Sequence, residues 1–146
     1  MKRFIRWKAV WVGGLLLACA GRATENWPQF RGPRGDGVSA EKSAPLNWSA
    51  TENVIWKTAL AGEGHSSPIV WGNAIFLTRA EKPSGRRILL RLDARTGAIV
   101  WEKTVVTAPG EAMHRENSLA SSTPVTDGTH VFTSFQAGDR VDWRCF

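Results

Sequence analysis

Tyrosine is absent from the 146 residues, and methionine and cysteine occur twice each. Cys19 lies in an N-terminal apolar run, which leaves Cys145 as the lone thiol of the body. No disulfide can close within that body, and no C-x-x-C pair offers a redox or zinc site. Long apolar stretches are missing too: the run from Ala9 to Ala20 falls well short of the roughly 18 to 20 residues a membrane-spanning helix needs. No segment keeps a 3.6-residue apolar period, so a helical bundle is excluded. Nor is the body basic. Of 19 Lys and Arg residues, five (Lys2, Arg3, Arg6, Lys8 and Arg22) precede Thr24, which leaves 14 against 13 acidic residues. A chain that tracks phosphates carries its positive charge in the folded part, so no nucleic-acid partner is expected. The G-x-S-x-G elbow and the G-x-x-x-x-G-K phosphate loop are both lacking.

What is present begins with an export layout. Residues 1 to 8 are basic, Ala9 to Ala20 are apolar, and small residues follow, so residues 1–23 read as a signal peptide with cleavage between 18 and 23. Ala18-Cys19-Ala20 and Gly21-Arg22-Ala23 each offer a cut site. Leu16-Leu17-Ala18-Cys19 also resembles a bacterial lipobox, which makes Cys19 a lipidation candidate; an uncleaved anchor is the third alternative. The expected destination is the periplasm, the outer membrane or the exterior, with membrane contact only through such an anchor. Residues 24–52 follow as an irregular arm, because three glycines and two prolines in "NWPQFRGPRGDGVSA" oppose regular structure.

From residue 53 to 146 short runs of Val, Ile, Leu, Phe, Thr and Trp alternate with turn residues, an all-β pattern. The runs repeat. "SPIVWGNAIFLT" aligns with "TPVTDGTHVFTS", "RILLRLD" with "RVDWRCF", and "VIWKTAL" with "IVWEKTV", at offsets of 56, 53 and 45 residues. Such spacing predicts propeller blades. One blade reads as strands Ser67–Trp71, Ala74–Ala80, Arg87–Asp93 and Ala98–Val105. Gly72 and Gly97 supply the positive φ of tight turns, and Asp93 accepts turn N–H groups. Trp56 and Trp101 occupy equivalent positions, which marks them as packing residues between units.

The pattern Leu89, Leu92, Asp93, Thr96, Gly97, Trp101 resembles the pyrroloquinoline-quinone-like (PQQ-like) β-propeller repeat. "NWPQFRGPRGDGVS", "GHSSPIVWG" and "HRENSLASSTPVTDG" resemble an exported bacterial subgroup of that family. The resemblance implies a β-propeller of four-stranded antiparallel blades, here about one and a half blades plus an N-terminal outer strand over 53–60. Closed propellers use about four to eight blades. The chain is therefore expected to be the N-terminal fragment of a longer wheel, and residues 24–146 alone are expected to fold poorly because of uncovered edges.

The loops 61–67 and 106–122 should share one face, and they carry His65, His114, Arg115, Glu116 and Asn117. Long loops on a rigid scaffold favour ligand binding; hydrogen bonding to the backbone where the chain enters an inner strand is the competing use of these residues and of the neighbouring serines. Two histidines without a third ligand do not make a zinc site. Asp127, Gly128 and Asp139 read as turn residues, since the alternating oxygen ligands of a calcium loop are lacking. No cofactor is evident in this stretch; PQQ and calcium would need ligands from further blades. The leading expectation is an exported binding or scaffold propeller, non-catalytic in this part, whose partner is an envelope protein or an extracellular ligand. The alternative is the N-terminal part of a periplasmic quinoprotein dehydrogenase.

Overall fold

A computed structural model describes residues 25–146. The expected signal peptide and Cys19 lie outside the described residues. Seven strands run in chain order: β1 (Ile69–Trp71), β2 (Ala74–Glu81), β3 (Arg86–Asp93), β4 (Ile99–Thr107), β5 (Val125–Thr126), β6 (Val131–Ala137) and β7 (Arg140–Cys145). They form two antiparallel meanders, β1-β2-β3-β4 and β5-β6-β7. The fold is therefore all-β, built from a four-stranded blade and three strands of a second, as the repeats imply. Among the described residues no helix is long and apolar enough to cross a membrane.

Alternation decides which side chain faces which layer. Phe76, Thr78 and Ala80 on β2 stand opposite Arg91, Leu89 and Arg87 on β3, and this face looks toward the second sheet. There Ile69, Phe76, Leu89 and Val105 pack with Val131 and Phe135, and Leu119 and Ala120 complete the cluster. Full burial of Ile69 and Leu89 contributes about 1.5–3 kcal/mol each. Trp101 lies tilted against Phe76, ring centroids 6.0 Å apart, at the edge of this layer. The opposite face of the first sheet holds Ile88, Leu90 and Leu92 with Ile75 and Leu77. Both faces of β3 therefore carry buried apolar side chains. Register shifts between Arg87 and Ile88 and between Arg91 and Leu92 bulge β4 and strengthen its twist.

The expected outer strand over 53–60 is the one element that differs. Residues 54–60 carry no ladder pairing. Their polar contacts come from side chains instead: Trp56 Nε1 donates to the Ala94 carbonyl at 3.0 Å and Thr58 Oγ1 to the Gly97 carbonyl at 2.6 Å. Side-chain bonds to the turn between β3 and β4 thus hold this segment in place of ladder pairing.

The 24–52 arm is irregular, and its start is stitched to both sheets. Trp27 and Val70 exchange backbone bonds of 2.8 and 2.9 Å, Asn26 Oδ1 accepts from Gly72 N at 2.8 Å, and the Pro28 carbonyl accepts from Thr126 N at 2.9 Å. Asn26 to Pro28 thus bind β1 on one side and β5 on the other. Glycine lets aromatic rings lie directly on the backbone at three places. Gly32, Gly97 and Gly128 have φ of 77°, 70° and 94°, and the rings of Trp27, Trp56 and Trp71 cover them. A Cβ at Gly97 would stand 2.3 Å from Trp56 Cε3.

Candidate functional site

At the end of the sheets where β2 meets β3, the chain gathers the 61–67 loop, the 108–124 connection and the turns at 82–85 and 138–139. The first loop is bound by main-chain pairing. Glu63 and Ala80 exchange bonds of 3.0 and 2.7 Å, and His65 N and Ser66 N both donate to the Ala120 carbonyl. Ser66 Oγ accepts from Thr78 N at 2.9 Å, Ser67 N donates to Thr123 Oγ1 at 3.0 Å, and Ser122 and Ser134 hydroxyls pair at 2.9 Å. These hydroxyls fix the chain where it enters the inner strands.

A buried arginine organises the longer connection. Arg87 follows the turn at 82–85 on the inward face of β3, fully buried. Its Nη1 donates to the carbonyls of Gly85 and Ala108, both at 2.9 Å, while Nη2 reaches the Pro109 carbonyl at 3.2 Å and Glu111 Oε1 at 2.7 Å. The same Glu111 oxygen accepts from Gly138 N at 2.9 Å, in the turn between β6 and β7. One ion pair therefore joins the first blade, the connection and the second blade. A second network lies on the other face, where Arg79 bonds Glu81 at 2.7 Å and Glu102 at 2.9 Å. The Arg79 guanidinium, with help from Ser84, holds the Glu81 carboxyl below its usual range.

The residues singled out from sequence are only partly brought together. His114, Glu116 and Asn117 form one exposed turn: His114 Nδ1 accepts from Glu116 N at 3.3 Å, and the His114 carbonyl accepts from Asn117 N at 2.9 Å. Asn117 Oδ1 accepts from Ser118 N at 2.9 Å and from the Ser121 hydroxyl. His114 and Asn117 line a cleft of about 350 Å³ with Lys82, Glu111 and Met113. His65 is outside it, and its backbone N–H donates to the Ala120 carbonyl, beyond the turn. Among the described residues no three His, Cys, Asp or Glu stand close enough to hold a metal ion. Arg87 and Glu111 were missed by sequence reasoning. The available signal was an arginine at an inward position of the otherwise apolar "RILLRLD".

At the opposite end of the sheets the repeat residues act as turn hardware. Asp93 Oδ1 accepts from Arg95 N, Thr96 N and Thr96 Oγ1 at 2.9 to 3.1 Å, and Oδ2 accepts from Asn73. Partial burial works against the charge of Asp93, yet these donors hold its pKa below the ordinary value. Asp127 repeats the arrangement with the amides of His130 and Thr129 and the His130 ring, which lower it to about 2.

Meandering antiparallel sheets stacked face to face, with glycine turns lidded by tryptophan, define a β-propeller-type repeat protein. A family model of PQQ-like repeats, described as outer membrane protein assembly factor BamB, matches residues 39–143, well over half of the chain. The chain belongs to that family. Neither the curated proteins nor the solved structures that were compared gave a match.

Proposed function

We propose that this chain is part of an exported β-propeller that works as a protein-binding scaffold in the bacterial envelope, with the exposed turn His114–Asn117 as a contact surface. The observation that carries the reading is the Arg87–Glu111–Gly138 link, which fixes the base of the 108–124 connection to both blades and leaves its tip exposed. A loop held at its base presents its tip with little ordering cost on binding. Membership in a family described for outer-membrane protein assembly and the export layout of residues 1–23 agree with an envelope location.

The test places a photo-crosslinking residue at Glu116 in the full-length protein in its native envelope, with Glu52 as the control position. Recurrent adducts at Glu116 with one envelope protein, weakened by Glu111→Ala, are expected. Identical adduct patterns at Glu116 and Glu52 would overturn the reading. Quinone- and calcium-dependent dye reduction by the full-length protein, abolished by chelation, would establish the quinoprotein alternative in its place.

A further inference from the structure

The half-buried guanidinium of Arg91 has no hydrogen bond or ion pair among the described residues. It sits on the face of β3 that looks toward the second sheet, in register between Phe76 and Trp101, so aromatic neighbours flank it on both sides. A guanidinium has five donors in a planar fork and stays charged at any physiological pH, so an unmatched one in a partly closed site is poised for an anion. It lines a cleft of about 290 Å³ between the two sheets, walled by Trp71, Thr126, Gly128 and Thr129. Two further donors face no acceptor among the described residues: the Trp71 indole N–H and the Thr129 hydroxyl.

The carboxylates nearest along the chain are already engaged. Asp93 accepts from the backbone N–H of Arg95, from Thr96 and from Asn73, and Asp127 accepts from Thr129 N, His130 N and the His130 ring. No ion pair joins either of them to Arg91 among the described residues. We propose that this inter-sheet cleft is a binding site for a small oxyanion, a phosphate or carboxylate group, gripped by Arg91 and completed by Trp71 and Thr129. Planar bidentate pairing suits both anions, and the cleft has room for either. The site lies at the opposite end of the sheets from the His114 turn and stands independently of it.

Inorganic phosphate and acetate are titrated separately into the full-length protein, followed by tryptophan fluorescence and thermal shift, with potassium chloride at matched ionic strength as reference. Saturable binding of at least one probe is expected, and which probe binds tells the two sources apart. Arg91→Gln should weaken it by about tenfold or more, the loss of a charge-assisted hydrogen bond. Arg95→Gln, which removes the same charge from an exposed turn, should leave it unchanged. Thr129→Val, at an exposed position that tolerates the change, should weaken it about threefold and decides the question if Arg91→Gln does not fold. A chloride response equal to that of both probes, unchanged affinity in Arg91→Gln, or unchanged affinity in Thr129→Val when Arg91→Gln is unfolded, would overturn the proposal.

Discussion

Replacing Gly97 by alanine puts a methyl group where the ring of Trp56 lies. Two costs add. Gly97 has φ of 70°, a left-handed conformation that costs an L residue about 1–2 kcal/mol. The new Cβ would also meet Trp56 Cε3 at 2.3 Å, Cδ2 at 2.5 Å and Thr58 Oγ1 at 2.7 Å, so the 54–60 segment must lift. Lifting breaks the Trp56 N–H bond to Ala94 and the Thr58 hydroxyl bond to Gly97, about 1 kcal/mol net each, and re-exposes part of the ring, about 1 kcal/mol more. Gly97→Ala should therefore cost about 4–5 kcal/mol in total. Gly72→Ala is the matched reference, since φ there is 56° and no atom lies within 4 Å of the added Cβ. It should cost only the backbone part, about 1–2 kcal/mol. Urea unfolding of the full-length protein, followed by tryptophan fluorescence and circular dichroism, compares the two. In a Trp56→Ala background the penalty of Gly97→Ala should fall toward that of Gly72→Ala, with only the Thr58 Oγ1 contact at 2.7 Å left to relieve. Equal midpoints for the two single variants would refute the claim that the ring seats on this turn.

Three other outcomes follow from the same geometry. Glu111→Ala strands the fully buried Arg87 without its counter-charge and should destabilise by about 3–5 kcal/mol; faster amide exchange at Gly138 would report the freed link. Asp127 has its pKa lowered from 3.8 to about 2, so its contribution is complete above about pH 4 and is lost as pH falls toward 2. Asp127→Asn should lower stability at neutral pH and flatten the unfolding midpoint across that acid window, read by thermal melts at successive pH values. Trp27→Ala removes the ring over Gly32 and should speed proteolytic cutting within residues 29–38, scored by mass spectrometry of the first fragments.

The strand ends were readable because glycine and aspartate punctuate them. Gly72, Gly97 and Gly128 sit in turns at positive φ, and Asp93 and Asp127 cap theirs through local amides, chemistry that belongs to a few adjacent residues. Equivalent tryptophans revealed the repeat for the same reason. Long-range partnerships were hidden. Nothing local says that Glu111 meets Arg87 across 24 residues and also Gly138 across 27, because the link depends on how two sheets are stacked. The 53–60 segment misled in an informative way: its match to the β4 sequence through Trp56 and Trp101 reports a shared packing position and not a shared ladder pairing. His65 and His114 illustrate a further limit. Their loops reach the same end of the sheets, yet whether two side chains converge there depends on loop paths that sequence does not specify.

The three-residue staple at Asn26 to Pro28 has a mechanical consequence. Tension applied to the polypeptide ahead of Asn26 reaches β1 and β5 together, through the bonds of Asn26 and Trp27 on one side and of Pro28 on the other. A pull on Asn26 is therefore shared between the innermost strands of both sheets.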